Sequence, residues 1–351
     1  MPDVLVIADD LTGALDSGVA FAGAGRRVSV ARRVEDLPDV LAGAPDVAVV
    51  STGTREADAA TARARMAEVV AALDPASVRL VFKKVDSRLK GPVGAEVGVL
   101  AEAMPGRRPV AVPAIPSMVR VQAGGQLTGM GIETPIGIAA RFDGPVDVPD
   151  AQSDADLDRI VAARSGALWI GARGLAFALA RALYGAAGGG RTPPPAHPFL
   201  LAVGSRDPIT LAQVEHLSHR VPVHAAPDGR IRGVPPRAPI LAVHLTHGGT
   251  GRAPMAAGSD FAEGIATIMR QHRPAALLAS GGETANAILD RLGIGTLDLL
   301  SEIAPGLPVC EARAPWGILT VMTKSGGFGG PGLLAEIAGQ AAPADMWETT
   351  R

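Results

Sequence analysis

One stretch of the chain decides its fold class: residues 275–292, AALLASGGETANAILDRL. The apolar run Ala275–Ala279 predicts a buried strand, which ends at a turn containing Gly281 and Gly282. Apolar residues then recur at helical spacing up to residue 292, which predicts an amphipathic helix. A strand, a glycine turn and a helix N-terminus in this order form an anion site, because the first N–H groups of a helix lack intrahelical partners. An ordinary strand-to-helix turn with a side-chain cap stays open as the alternative for this stretch alone.

A second stretch with a similar pattern lies near the C-terminus, at residues 318–334. The run Ile318–Met322 predicts a strand, and Thr323–Gly330 predicts a glycine-rich loop that carries Lys324. Pro331 suits the first position of a following helix. Two glycine-rich turns at strand ends, one of them with a lysine, suit the phosphates of a nucleotide. Neither turn has the Walker A spacing or the GxGxxG pattern of a dinucleotide site, so the ligand stays open at this point.

The composition fits two α/β domains. The chain has 351 residues, of which 47% are hydrophobic and 19% charged, enough for two buried cores. A formal net charge of -2 and few aromatic residues (7 Phe, 3 Trp and 1 Tyr) argue against a nucleic-acid groove. The single cysteine, Cys310, excludes a disulfide within the chain and fits a reducing compartment.

The sequence shows no targeting or membrane segment. The N-terminus leads directly into an apolar strand without a basic region before it. The most apolar long stretch, Ala167–Ala187, carries Arg173 and Arg181 and does not predict a membrane span. We therefore expect a cytoplasmic protein without nucleic-acid or membrane partners, and a homodimer is compatible with the sequence.

Strands and helices alternate along the chain, which predicts an α/β protein with mostly parallel sheets flanked by helices. The best linker, Gly188–Pro195, combines three glycines with three prolines. It divides the chain into two predicted domains, residues 1–190 and 191–351, each with its own mostly parallel sheet. Between Pro113 and Pro149 the sequence becomes rich in glycine and proline, which we interpret as a small β or irregular excursion.

Two polar clusters follow strands of the N-terminal domain. Asp9 and Asp10 follow the strand Val4–Ala8, and the segment Lys83–Lys90 places four cations around Asp86. Both clusters fall at the carboxyl ends of parallel strands, where such sheets bind ligands. The sequence therefore predicts a ligand site at this edge.

Each cluster also has a structural alternative. One aspartate, or Thr12, could cap the following helix, but two adjacent carboxylates exceed what capping needs. A carboxylate here could accept a proton from a substrate hydroxyl or bind sugar hydroxyls. The four cations suit an anionic small molecule, or else form a solvated basic turn. Arg120 by itself predicts a surface position, and His244 and His247 lack a third ligand at the spacing of a zinc site.

Motifs over nearly the whole chain resemble those of one family. They are Ile7–Ala14 with Asp16, Lys84–Ser87 with Gly91, Gly94–Glu96, Gly204-Ser205, Gly281–Thr284, Pro305–Pro308 and Lys324–Gly329. In this order they resemble the four-carbon acid sugar kinases, with a sugar-acid-binding N-terminal half and a nucleotide-binding C-terminal half. The resemblance implies ATP-dependent phosphorylation of a terminal hydroxyl on a threonate-, erythronate- or 3-oxo-tetronate-like acid, in a cleft between the two domains. Phosphoryl transfer of this kind also calls for Mg²⁺.

The resemblance and this chemistry together give the candidate residues their roles. The predicted ATP-binding residues are Ser205, Gly281, Gly282, Glu283, Thr284, Lys324, Gly326 and Gly327. The predicted substrate-binding residues are Asp9, Asp10, Thr12, Lys84, Asp86, Lys90 and Arg120. Asp10 and Asp86 are the predicted catalytic residues, with Asp10 orienting or deprotonating the attacking hydroxyl. No metal ligand is assigned.

The chain departs from the family pattern in its acid-binding half. Arg88, Lys90 and Pro92 stand where the family usually has a small polar residue, an arginine and an asparagine. These differences leave the particular acid undetermined. A sensor that binds a sugar acid or a nucleotide without turnover stays open as an alternative. An NAD-dependent enzyme is disfavoured, because the turn after the first strand is Asp-Asp-Leu-Thr-Gly where a dinucleotide fold carries glycines.

Overall fold

The computed structural model describes residues 1–185 and 195–341. The chain divides into two compact units: unit 1 is Met1–Gly190 with Asp298–Leu300, and unit 2 is Arg191–Leu297 with Ser301–Arg351. Apart from Pro195, the predicted linker Gly188–Pro195 lies outside the described residues. A linker there therefore stays a prediction.

Unit 1 alternates strands with helices. Its strands are β1 (Val4–Ala8), β2 (Val28–Ala31), β3 (Val47–Ser51), β4 (Leu80–Lys84), β5 (Pro109–Val112), β6 (Arg120–Ala123), β7 (Gln126–Gly129), β8 (Ile136–Gly137) and β9 (Leu168–Gly171). Its helices are α1 (Leu11–Gly23), α2 (Leu37–Ala42), α3 (Ala59–Ala72), α4 (Val93–Ala103), α5 (Asp154–Ala162) and α6 (Arg173–Tyr184). The main sheet has the order β2-β3-β1-β4-β9-β5, and each of these pairs is parallel.

Burial explains why these segments form a parallel sheet. Every residue of β1, β3 and β4 is buried, as expected for strands covered on both faces. From β1 the chain passes through α1 to the β2 side of the sheet, whereas from β4 it passes through α4 to the β5 side. Because these two connections diverge, a crevice lies between the carboxyl ends of β1 and β4.

The predicted excursion at residues 113–149 contains a small antiparallel sheet, β6-β7-β8. Its first strand starts after Val119, which has a left-handed backbone with φ of 53°. Gly129, opposite Arg120 in the sheet, has φ of 111°, and a Cβ there would lie 2.9 Å from the carbonyl carbon of Val119. Only glycine fits such a close approach without strain, and this approach fixes the start of β6.

Unit 2 contributes further strands and helices. Its strands are β10 (Phe199–Val203), β11 (Val223–Pro227), β12 (Ile240–Thr246), β13 (Ala276–Ser280), β14 (Thr296–Ala304), β15 (Leu307–Ala314) and β16 (Gly317–Lys324). Its helices are α7 (Pro208–Ser218), α8 (Pro254–His272), α9 (Gly282–Arg291) and α10 (Leu333–Ala341). The order is β11-β12-β10-β13-β16-β15-β14, with the pairs from β11 to β16 parallel and β15 antiparallel to β16.

The first four strands of each unit share one topology. In unit 2, β10 leads through α7 to the β11 side and β13 leads through α9 to the β14 side. The carboxyl ends of β10 and β13 therefore flank a crevice of the same kind as those of β1 and β4.

The predicted α/β class with mostly parallel pairing is confirmed, and the predicted strand Val4–Ala8 matches β1 to the residue. Helix α2 and strands β14 and β15 were not predicted. In β14, buried and exposed positions alternate at first and the later residues are half-buried, so no apolar run marks this strand. The prediction for Pro331 is wrong, because α10 begins at Leu333.

Candidate functional site

The crevice of unit 1 brings together the polar residues that follow β1 and β4. Asp10 is the N-cap of α1, with its Oδ1 accepting the Gly13 N–H at 2.7 Å. Asp9 is buried, and its Oδ2 accepts the backbone N–H of Asp86 at 3.2 Å. The capping alternative is therefore correct for Asp10, and the Asp9 carboxylate joins the ends of the two strands.

A residue that the sequence analysis did not single out, Arg55, binds both aspartates. Its guanidinium donates to Asp9 at 2.8 and 3.1 Å and to Asp10 at 2.6 and 2.7 Å. Arg55 follows β3, whose carboxyl end lies at the same edge as that of β1. A cation after the neighbouring strand is the signal that could have identified it.

The two adjacent carboxylates have opposite pKa shifts. Burial raises the pKa of Asp9, but the positive charges of Lys84 and Arg55 outweigh burial and hold that pKa below its usual value. Burial also raises the pKa of Asp10, and there it outweighs the charges of Arg55 and Lys84, with the negative charge of Asp9 adding to the rise. Asp10 is therefore the better proton acceptor of the two.

The other predicted substrate-binding residues of unit 1 occupy different environments. The Lys84 Nζ is buried and donates to the Val85 carbonyl at 2.9 Å, next to the first turn of α1. Thr12 and Asp86 are half-buried, and Lys90 is exposed. Lys84 and Asp86 thus lie at the crevice with the aspartates, whereas the side chain of Lys90 is on the surface.

Lys83 corrects the expectation of four cations around Asp86. Its ammonium and the Glu96 carboxylate are both 0% exposed and lie 2.9 Å apart. Glu96 also accepts hydrogen bonds from Thr52 and Thr54 at 3.2 and 2.6 Å. Lys83 is therefore paired with Glu96 and is not available to a ligand near Asp86. The same carboxylate binds Thr52 and Thr54 and so fixes the backbone just before Arg55.

Arg120 is not a surface residue, since only 8% of it is exposed. Its guanidinium donates to the Ser87 Oγ at 2.5 Å and to the Met130 carbonyl at 2.6 and 3.2 Å. Burial and the nearby charge of Arg88 lower its pKa, while Asp86 opposes the change. The small sheet therefore delivers Arg120 to the turn after β4.

In unit 2 the turn that follows β10 packs against the turn that follows β13. The backbone N–H groups of Gly204 and Ser205 donate to the Ser280 carbonyl at 3.0 and 3.1 Å. A Cβ on Gly204 would overlap the Oγ1 of Thr284 and lie 2.9 Å from its Cγ2. Gly281, with φ of 110°, is the N-cap of α9, and no side chain caps this helix. The first N–H groups of α9 are therefore free of a side-chain cap at this crevice, the requirement for an anion site.

The loop after β16 packs beside this turn. The Lys324 Nζ is held by Thr210 Oγ1 at 3.1 Å and by the carbonyls of Ser325 and Gly326 at 2.9 and 3.0 Å. Only 1% of Lys324 is exposed, and burial lowers its pKa to about 8. A Cβ on Gly326 would lie 2.5 Å from Ser205 Oγ. Lys324 thus fixes the loop against α7, and contact with a phosphate would require it to leave these partners.

The remaining predicted nucleotide-binding residues lie around this turn. Glu283, in the first turn of α9, and Gly327 are exposed. Asp207, not singled out by the sequence, is the N-cap of α7, and a Cβ on Gly327 would lie 3.6 Å from its Oδ2. In residues 1–185 and 195–341, no group of three His, Cys, Asp or Glu side chains could hold a metal ion.

No helix of the described chain is long and apolar enough to cross a membrane. The chain is an α/β protein with one crevice lined by carboxylates and cations and another lined by glycine turns and a helix N-terminus.

Two protein families match parts of this chain. A sugar-binding N-terminal domain family matches residues 4–143, and a nucleotide-binding C-terminal domain family matches residues 244–334. A D-threonate kinase of Cupriavidus necator is 30% identical, over 93% of this chain and 94% of the relative. A D-threonate kinase of Bordetella bronchiseptica is 28% identical, over 96% and 97%.

A solved structure supports the fold. A Haemophilus influenzae protein of the DUF1537 family aligns with a TM-score of 0.74 at 18% identity, over 96% of this chain and 100% of that protein. The chain belongs to the four-carbon acid sugar kinase family.

Proposed function

We propose that this protein is an ATP-dependent kinase that phosphorylates the terminal hydroxyl of a four-carbon sugar acid of the threonate, erythronate or 3-oxo-tetronate type. The full-length similarity to two D-threonate kinases carries this proposal. The geometry adds support, because the Asp10 crevice falls in the region matched by the sugar-binding family and the Gly281 turn in the region matched by the nucleotide-binding family.

The sugar acid binds at the crevice of unit 1. Its hydroxyl groups meet Asp9, Asp10 and Asp86, and its carboxylate meets the cations of the same edge. Thr12 and Lys90 are further candidates for substrate contact, Lys90 as an exposed cation near the rim. The hydrogen bonds of the Arg55 guanidinium hold the Asp9 and Asp10 carboxylates in fixed positions. Carboxylates fixed in this way can orient the hydroxyl groups of a bound sugar acid.

ATP binds at the crevice of unit 2. The uncapped N-terminus of α9 and the backbone of Gly281–Thr284 hold phosphate oxygens, and Ser205, Gly326 and Gly327 line the same turn. Lys324 keeps the second loop in place and adds positive charge beneath it. The chemistry is positioning and charge stabilisation, supplied here mainly by backbone groups.

Mg²⁺ fits this site as a companion of the nucleotide. It keeps several waters and binds proteins through one or two carboxylates plus substrate phosphates, so a cluster of three protein ligands is not needed. Asp207 and Glu283 are the carboxylates at this edge that would hold it. When bound, the ion neutralises charge that develops on the transferred phosphoryl group.

Asp10 orients or deprotonates the attacking hydroxyl. Its raised pKa makes it a better proton acceptor than Asp9, and its hydrogen bonds to Arg55 and Gly13 fix its direction. Asp86 shares the crevice and assists in orienting the substrate. In-line transfer then requires the hydroxyl held at the Asp10 crevice to reach the phosphate held at the Gly281 turn.

Coupled ADP release with MgATP tests the proposal against D- and L-threonate, D- and L-erythronate and their 3-oxo forms. Asp10→Asn is expected to lower kcat by about 100-fold or more, the usual contribution of a general base, while Asp39→Asn, an exposed carboxylate on α2, leaves it unchanged. Full turnover by Asp10→Asn would remove the assigned role of Asp10. Silence over the whole panel, with ATP and an acid still binding, would replace the kinase by a sensor.

A further inference from the structure

Arg88 occupies a tightly defined turn at the mouth of the unit 1 crevice. Its backbone N–H donates to Asp86 Oδ1 at 2.9 Å, and the Leu89 N–H donates to the Asp86 carbonyl at 2.8 Å. Leu89 is buried with a left-handed φ of 55°. The backbone at Arg88 is therefore held in one position, directly after the Ser87 hydroxyl that receives Arg120.

Arg120 retains donors for a ligand. The three contacts to Ser87 and Met130 use three of the five N–H groups of its guanidinium. The other two belong to a side chain that is nearly buried and fixed on both sides. Such a guanidinium is suited to a carboxylate, which it can bind through two parallel hydrogen bonds.

The charge of Arg88 lies near that of Arg120, at the turn whose Ser87 hydroxyl Arg120 contacts. Arg88 is half-buried and lies close enough to Arg120 to lower its pKa. Within residues 1–185 and 195–341, the guanidinium of Arg88 forms no hydrogen bond or ion pair. Like charges held together in a partly buried position are unfavourable, and an anion between them removes the repulsion.

The charge balance of the crevice points the same way. Its cations are Arg55, Lys84, Arg88 and Arg120, and its carboxylates are Asp9, Asp10 and Asp86. Arg55 is already committed to Asp9 and Asp10 by four hydrogen bonds. One positive charge is therefore left for a bound monocarboxylate.

We propose that Arg88 is a specificity-determining residue that binds the substrate carboxylate together with Arg120. The inference rests on the proposed function. It places the acid end of the substrate at the Arg88–Arg120 pair and leaves the hydroxyl groups to the aspartates. Neutral four-carbon polyols cannot neutralise the pair and are expected to bind more weakly than the acids, independently of Arg88.

Calorimetric binding separates this role from a general effect on folding. The ligands are D-threonate, D-erythronate and the neutral polyols threitol and erythritol, titrated into wild type, Arg88→Ala, Arg88→Lys and Arg65→Ala. Arg65 is a control arginine on the surface of α3, 3.5 Å from Glu35. ATP affinity, measured in parallel, reports on unit 2.

We expect Arg88→Ala to weaken binding of the acid by about 10- to 100-fold, as for a lost charge-assisted hydrogen bond, with polyol and ATP affinities unchanged. Arg88→Lys restores part of the loss, and Arg65→Ala has no effect. In the kinase assay the same change raises KM much more than it lowers kcat.

The inference would be overturned by an acid affinity that is unchanged in Arg88→Ala, or by acid and polyol affinities that fall together. A wild type that binds neither acid would overturn it as well. The proposed function fails separately, if wild type binds an acid with the Arg88 dependence described but releases no ADP.

Discussion

Replacing Arg55 by alanine is expected to destabilise the protein strongly, although Arg55 is a loop residue. The guanidinium forms four hydrogen bonds of 2.6–3.1 Å to Asp9 and Asp10. The Asp9 side chain is 2% exposed and that of Arg55 23%. Without Arg55, the buried Asp9 carboxylate keeps only the Asp86 N–H and the charges of the nearby lysines.

Removal of one partner from a buried ion pair costs about 3–5 kcal/mol. Because Arg55 is partly exposed, we expect a somewhat smaller cost, about 2–4 kcal/mol. With urea m-values of about 1–3 kcal/mol/M, the midpoint of unfolding falls by about 1 M or more. Arg55→Lys is expected to be intermediate, since one ammonium cannot reproduce the fork that binds both carboxylates.

Urea unfolding at pH 7 measures this effect, with Arg65→Ala as the control arginine. Acid titration adds a second test through the pKa of Asp9, which Lys84 and Arg55 hold below its usual value against burial. A lowered pKa contributes stability above the unfolded value, and this stability is lost as pH falls through the folded value. The difference between wild type and Arg55→Ala should therefore shrink in acid. If Arg55→Ala lowered the free energy of unfolding at pH 7 by less than about 0.5 kcal/mol, as for a surface ion pair, the reasoning would be refuted.

Two further substitutions test unit 2. Gly204→Ala should weaken ATP binding by about tenfold or more, because the added methyl group overlaps Thr284. The control is Gly258→Ala in α8, whose methyl group meets nothing within 4 Å and should leave ATP affinity unchanged. Equal ATP affinities for the two variants would contradict the prediction. Asp228→Asn should lower stability at pH 7, since the Asp228 carboxylate accepts hydrogen bonds from Thr250 and from the Gly248 N–H. Those bonds lower the pKa of Asp228 to about 2. The difference in unfolding free energy between wild type and Asp228→Asn should therefore narrow as pH falls from about 4 towards 2, and a constant difference would contradict the prediction.

The fold class could be predicted because it follows from local patterns. Short apolar runs, each ending in a glycine or aspartate turn before a helix, indicate βαβ units, and β1 matches its predicted bounds. Strand β14 could not be found in this way, because four of its nine residues are polar and interrupt any apolar run.

The candidate sites were only partly predictable. Asp9, Asp10, Lys84 and the Gly281 turn are adjacent to strand ends in the sequence, so their position at the sheet edge follows from the pattern alone. Arg120 and Lys83 were not predictable from their neighbours. The first is brought in by a separate small sheet, and the second is removed from the crevice by Glu96.

The sequence by itself determined the α/β class, the positions of the glycine turns and the placement of carboxylates after β1. Only the tertiary structure decided which charges meet. Arg55 and Asp9 are 46 residues apart, and Arg120 and Ser87 are 33 apart. A parallel sheet joins the ends of strands that are distant in the chain, and the energy of each contact depends on how deeply that sheet buries it.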